Sequence, residues 1–176
     1  MATPLDIDAF KAKLATGGAR SNLFRVILPF PAGTAGNTEL ASFMIKSASL
    51  PASTVAEITV PFRGRQIKVA GDRTFADWSV TVINDNDFGI RDAFERWMNV
   101  INGHISNVGT MSMAAYQVDA TVEQLNRAGE VVKTYKMVGI FPTELGDIQV
   151  SYDNNDQIEE FTTNFAVNNW TSNTTS

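Results

Sequence analysis

The sequence predicts a mainly β fold, an antiparallel β-sandwich or partly open barrel with one α-helix packed over an end or face. Three observations carry this. From Phe75 to Asn84, Trp78, Val80 and Val82 alternate with Asp77, Ser79 and Thr81, the period-two pattern of a strand with one face in a core. Between Asp85 and Gly103 the period changes, and Ile90, Ala93, Phe94, Trp97, Met98 and Ile101 recur at helical spacing along one side. Third, residues 51–74 supply Val55, Ile58, Val60, Phe62, Ile67 and Val69, but Pro51, Pro61, Gly64 and Gly71 interrupt them. That stretch reads as a long two-armed extension projecting from the sheet. A two-stranded ribbon is marginal alone in water, so its apolar side chains are expected to be covered by another subunit.

The remaining elements follow in order. Residues 5–15 predict a short helix with Leu5, Phe10 and Leu14 on one side, ended by Gly17-Gly18. Phe24, Val26, Leu28 and Phe30 alternate in a strand over 22–30, Pro31 to Thr38 is a loop, and Glu39 to Ser49 reads as a second strand. Asp85, Asn86 and Asp87 can cap the helix, and Arg91, Asp92, Glu95 and Arg96 lie within pairing reach on its polar face. Tyr116 to Glu123 alternates, Asn126 to Gly129 turns, and Val131 to Phe141 pairs back. Pro142 to Gly146 is a connection, Ile148, Val150 and Tyr152 alternate again, Asp153 to Asp156 turns, and Ile158 to Trp170 closes the sheet. No internal repeat or linker divides the chain, so 1–176 is expected to be one domain.

The 176 residues and 19.2 kDa suffice for a core that buries roughly 70% of the unfolded surface. With no cysteine, the chain has no disulfide, thiolate zinc site or thiol nucleophile, which suits a reducing cytoplasm. The N-terminal residues do not form a signal peptide and no later run approaches a membrane span, so the expectation is a soluble product without membrane insertion. A net charge of −5 argues against a surface built to grip nucleic acid.

A search for chemistry finds little. His104 has neither a nucleophile nor a paired carboxylate at a recognisable spacing and reads as a histidine near a helix end. Asp85-Asn86-Asp87 is explained by capping. The run from Asp153 begins like a calcium loop, but Ile158 stands where that loop needs glycine. Gly17-Gly18-Ala19-Arg20 lacks the lysine of a phosphate loop, and the glycosylation patterns at Asn169 and Asn173 need a secretion route. Trp78, Trp97 and Trp170 read as core. No catalytic group, metal or cofactor is expected. The basic run Arg63-Gly64-Arg65-Gln66-Ile67-Lys68 lacks an aromatic platform for nucleic acid. Together with Asp72 and Arg73 it is expected to meet charged groups of an adjoining subunit.

The run LPASTVAEITVPFRGRQIKVAGDRTFADWSVTVIND, centred on AGDRTFADW, resembles the tail tube proteins of contractile-tailed (myovirus) bacteriophages. SNLFRV, FERW, GIFPTELGDIQVSYDNNDQIEEF and a terminal strand ending in tryptophan extend the likeness over most of the chain, in the family's order. The resemblance implies a structural subunit whose hexameric rings share a continuous inner β-barrel and stack into a hollow tube inside the contractile sheath. It implies contacts with the sheath, tape measure, baseplate and tail terminator proteins, assembly in the host cytoplasm, and a place in the virion. Genomic DNA would pass through the lumen without specific binding.

Duplex DNA carries about one phosphate charge per ~1.7 Å, so a cationic lining would bind it repeatedly, whereas a neutral or acidic one leaves a water layer for sliding. The lumen-lining candidates are therefore polar and acidic side chains opposite the core, namely Asp119 and Glu123, or Glu160 and Thr162. The arm from Ala52 to Arg73 is the candidate for reaching the next ring. Alternatives are a tube subunit of a phage-like injection system that delivers protein, a baseplate tube-initiator, for which the chain lacks an additional domain, and a small-ligand barrel or enzyme, against which the absent constellation counts.

Overall fold

The computed structural model describes residues 6–14 and 17–175. In chain order these form α1 (Ile7–Lys13), β1 (Phe24–Ile27), α2 (Thr38–Met44), β2 (Ile45–Ala48), β3 (Ser53–Phe62) and β4 (Arg65–Phe75). There follow β5 (Trp78–Ile83), α3 (Gly89–Ile101), β6 (Val118–Leu125), β7 (Val131–Leu145), β8 (Glu160–Ala166) and β9 (Asn169–Ser172). Seven strands make one open antiparallel sheet in the order β1-β6-β7-β8-β5-β2, with β9 also paired to β7, while β3 and β4 form a separate two-stranded ribbon. The mainly β reading holds, and within the subunit the sheet does not close into a barrel.

β7 joins two lobes of the sheet. Its first part, Val131–Ile140, pairs with β6 and β9, and its last part, Phe141–Leu145, pairs with β8. The change of partner follows shortly after Gly139, whose φ of +64° lies in the left-handed region that favours glycine and whose missing Cβ position is approached by the Asn168 side chain. Between the lobes lies one core, in which Val26, Ala120, Val122, Met137 and Ile140 of the first lobe meet Ile45, Trp78, Val80, Val82, Phe161 and Phe165 of the second. α3 covers it with Ile90, Phe94 and Trp97. The Phe94 ring is the aromatic centre, 5.3 Å from Phe30, 5.9 Å from Phe165 and 6.1 Å from Phe161 between centroids. The buried indoles also tie down the chain around them: Trp78 donates to the Ser49 carbonyl at 2.8 Å and Trp97 to that of Tyr116 at 2.7 Å.

The helix read from 85–103 is present, with Arg91–Glu95 and Arg96–Asp92 paired at four-residue spacing. Of the three capping candidates only Asp85 serves, accepting from the Gly89 and Ile90 amides at 3.2 and 3.4 Å, because Phe88 takes a left-handed φ of 55° ahead of the first turn. α1 is also present. Leu5 and Ala15 of the expected helix lie outside the described residues.

Four readings are corrected. Glu39 to Ser49 is not a single strand: Thr38–Met44 is helical because Asn37 Oδ1 accepts from the Glu39 and Leu40 amides at 3.0 and 3.1 Å, and only Ile45–Ala48 pairs with β5. Pro142 does not end β7, since it sits at a register shift opposite Phe165, where a missing N–H is tolerated. Ile148 to Tyr152 is loop, not strand, because β8 takes the place beside β7 and leaves this segment no ladder partner. The expected last strand, 158–170, is likewise divided into β8 and β9, which pair with different parts of β7.

Candidate functional site

Among the described residues, the ribbon is the longest element whose apolar side chains the subunit leaves uncovered. Its tip is a two-residue turn, Arg63-Gly64, with φ of 45° and 80°, which matches the twist of a hairpin and joins the pair Phe62↔Arg65. A register shift near Gly71 separates the root from the outer part. Beyond it, Ile58↔Val69 and Val60↔Ile67 share one face with Phe62, while Glu57, Thr59, Gln66 and Lys68 stand on the other. Ile58, Val60, Phe62, Ile67 and Val69 are all 45–60% exposed. The root, by contrast, is clamped: Trp170 of β9 stacks edge-on against Phe75 at 6.3 Å and donates to the Ala52 carbonyl at 3.2 Å. A rigid base and a bare, amphipathic outer segment suit contact with something outside the subunit.

The charged candidates on this ribbon divide. Lys68 is bound within it, 2.9 Å from Glu57, and Arg73 Nη1 donates to Ser53 Oγ across the root at 3.1 Å. Arg63 lies over its neighbour Phe62 at 5.4 Å. Arg63, Arg65 and Asp72 make no ion pair among the described residues.

The four lumen candidates fall on different lobes, all on faces turned from the core. Asp119 and Glu123 are on β6, where Ala120 and Val122 are the buried alternates. Asp119 accepts from the Gly139 amide at 3.1 Å and lies 3.0 Å from Lys136, so that amide first, and then the ammonium, hold its carboxyl below the usual aspartate range against a partial opposition from burial. It therefore has a local structural task that the sequence reading missed, since nothing in the alternation shows that β7 changes partners opposite it. Glu123 is bound by Arg25 Nε at 2.7 Å. Glu160 and Thr162 are on β8, opposite buried Phe161, Thr163 and Phe165. Glu160 pairs with Lys46 at 2.6 Å, and Thr162 lies opposite Thr81 with hydroxyls 3.4 Å apart. Around them the outward face of this lobe carries Ser47, Ser79, Asn164 and Glu144. Its one cation, Lys46, is paired with a carboxylate; the β6 face carries two, Arg25 and Lys136, each paired with a carboxylate as well.

The other polar candidates have local explanations. His104 bonds the Asn99 side chain at 3.1 Å through both its amide and Nδ1. Asp153 takes part in a turn through its amide and Ser151 Oγ. Among the described residues no group of three or more His, Cys, Asp or Glu is placed to hold a metal ion.

Residues 19–173 match the family model described as phage tail tube protein. The chain is 36% identical over 153 residues to the tail tube protein gp19 of Enterobacteria phage T4, covering 86% of this chain and 90% of that one. It is 29% identical over 160 residues to the tail tube protein of Serratia phage KSP90, covering 89% and 90%. In fold it is similar to a chain of the six-fold symmetrised anti-feeding prophage baseplate, with a TM-score of 0.66 at 14% identity over 98% and 97% of the two chains. A chain of the extended sheath–tube complex of an extracellular contractile injection system aligns with a TM-score of 0.59 at 14% identity over 97% and 98%. The bare ribbon, the open sheet and the sequence match over nearly the whole chain agree, and the chain belongs to the phage tail tube protein family.

Proposed function

We propose that this chain is the repeating subunit of a virion tail tube, in which six copies close their open sheets into a ring and rings stack into a hollow cylinder. The observation that carries it is the ribbon, whose outer apolar face is left bare by its own subunit while its root is firmly held. Covering those half-exposed side chains returns roughly 1 kcal/mol each. Exposed ion pairs add only ~0–1 kcal/mol each, so burial repeated at every subunit holds the tube, and charges select the register. The open strand edges at β1 and β2 support lateral joining, because an unpaired edge offers amides and carbonyls to a neighbour. Growth along the axis requires a heterologous contact, top to bottom, since a self-complementary patch would close a dimer.

The outward face of β2, β5 and β8 is the better lining. Beside its Ser, Thr and Asn side chains, Glu144 and Glu160, it presents one cation, the paired Lys46, where the β6 face presents two, so it has fewer groups to retain phosphates. On this reading a sheath surrounds the tube, baseplate and terminator proteins bound its ends, a tape measure protein occupies it during assembly in the host cytoplasm, and DNA leaves through it.

Negative-stain microscopy of the purified chain across concentrations tests the reading: rings and tubes are expected, and persistent monomers refute it. Thr81→Lys with Thr162→Lys tests the lining. Particles should assemble with full-length tails and lose DNA delivery, whereas Thr121→Lys on the other lobe should leave delivery intact; the reverse pattern assigns the bore to the β6 face.

A further inference from the structure

We infer that the ribbon's partner is the acidic loop 146–159 of the next copy along the tube, an assignment that rests on the tube reading and names the surface the ribbon meets. The charge of this chain is strongly divided. Residues 137–176 contain Glu144, Asp147, Asp153, Asp156, Glu159 and Glu160 and no lysine or arginine, so this quarter of the chain outweighs the whole net charge of −5. Residues 53–75 lie on the other side of the balance, with Arg63, Arg65, Lys68 and Arg73 against Glu57 and Asp72.

Both segments also leave apolar side chains outside. The loop has no helix or strand from Gly146 to Glu159 and exposes Val150, Tyr152 and Ile158 at 77%, 102% and 71%. The ribbon exposes Phe62 and Ile67 beside its tip. Each segment keeps charges unmatched within the subunit: Arg63 and Arg65 have no carboxylate partner, and Asp153 and Asp156 no cation partner, among the described residues. Other carboxylates near the loop are already bound, Glu159 to Asn84 and Glu160 to Lys46. Basic tip and acidic loop are different surfaces of one chain, so their contact is heterologous and repeats without closing, as an axial contact must. Burying the apolar residues beside the charges lowers the local dielectric and strengthens the pairs, while like charges oppose ribbon-to-ribbon or loop-to-loop contacts.

Charge exchange provides the test. Arg63→Glu with Arg65→Glu, and separately Asp153→Lys with Asp156→Lys, should each reduce sedimentable tube at least tenfold while circular dichroism stays that of the wild type. Combining all four should restore at least half of the wild-type yield. Because the chain has no cysteine, a second readout is clean. Tubes co-assembled from Arg65→Cys and Asp156→Cys subunits should give an oxidised heterodimer in clear excess over an Arg65→Cys and Thr121→Cys control. Wild-type tubes with full assembly of the loop variant, or no excess crosslink, overturn this assignment and leave the tube reading standing. Failure of the wild-type chain to form rings or tubes at any concentration removes the tube reading itself and this contact with it.

Discussion

Along β5, Trp78, Val80 and Val82 are each 1% exposed or less, whereas Ile58, Val60 and Phe62 of β3 remain 45–60% exposed. Both strands place apolar side chains at every second position and both lie in antiparallel pairs. They differ in what stands above them. β5 is central, between β2 and β8, with α3 across its inner face, while among the described residues β3 has only β4 beside it and its outer apolar face is left exposed. Alternation thus records that a strand has a face to bury, and the layer that covers the face decides whether it is a core strand or an interface.

The contrast can be broken most severely by removing the ribbon. Deleting residues 56–70 brings Val55 to Gly71 and leaves Gly71-Asp72 as a short turn between Val55 and its existing partner Arg73. The subunit should stay folded by circular dichroism and form no tubes under microscopy, and Arg73→Asp, which also breaks the bond to Ser53, should fail in the same way. Tubes of normal length from the deletion variant would remove the ribbon from the assembly. The core should respond in the opposite manner. Phe94→Ala empties the aromatic centre and should cost about 3–5 kcal/mol in urea unfolding of the monomer, a loss the ribbon deletion should not show.

Milder changes sharpen the same comparison. Val60→Ser with Ile67→Ser should alter monomer stability by no more than about 0.5 kcal/mol per site, because both residues are already half in water. The concentration needed for assembly should nevertheless rise roughly tenfold, the equivalent of about 1.4 kcal/mol, as measured by sedimentation. An equal loss of monomer stability would mean that the ribbon packs on its own subunit.

The smallest effect is expected at Asp119. Its folded-state pKa lies below the ordinary aspartate value, so its contribution is present above that value and is lost as pH falls through the lower, folded one. With the side chain 43% exposed, solvent screening keeps the contribution under about 1 kcal/mol. Asp119→Asn should therefore flatten the acid limb of the stability curve slightly and leave stability between pH 7 and 8 little changed in its pH dependence. An unaltered acid limb would show that the Gly139 amide does not depend on the carboxylate charge.

Much of this architecture was legible where one residue pattern has one physical meaning. The α3 stripe, the β5 alternation and the Asn126 turn needed no knowledge of their neighbours, and neither did the ribbon, announced by strand-formers among Pro and Gly. Residues 39–49 were misread because Phe43 and Ile45 weigh as strand-formers, while the decisive group is the Asn37 side chain that satisfies two amides ahead of α2. That signal was available, an asparagine followed two residues later by glutamate. Tyr152 shows the opposite case: its alternation with Val150 is real, but no strand lies beside it to bond. Among the lumen candidates, alternation placed all four opposite the core yet was silent on their partners. Lys46 reaches Glu160 across 114 residues of sequence, and Arg25 reaches Glu123 across 98.

The order of residues by itself determined the mainly β class, the long helix and the ribbon, because these follow from local periodicity and turn chemistry. Tertiary structure alone decided that β7 serves two lobes, that Asp119 holds the Gly139 amide at their junction, and which carboxylate each outward-facing cation meets. Each of those depends on strands distant in the chain meeting in one register, and pairing energies of that kind are not written in any single segment.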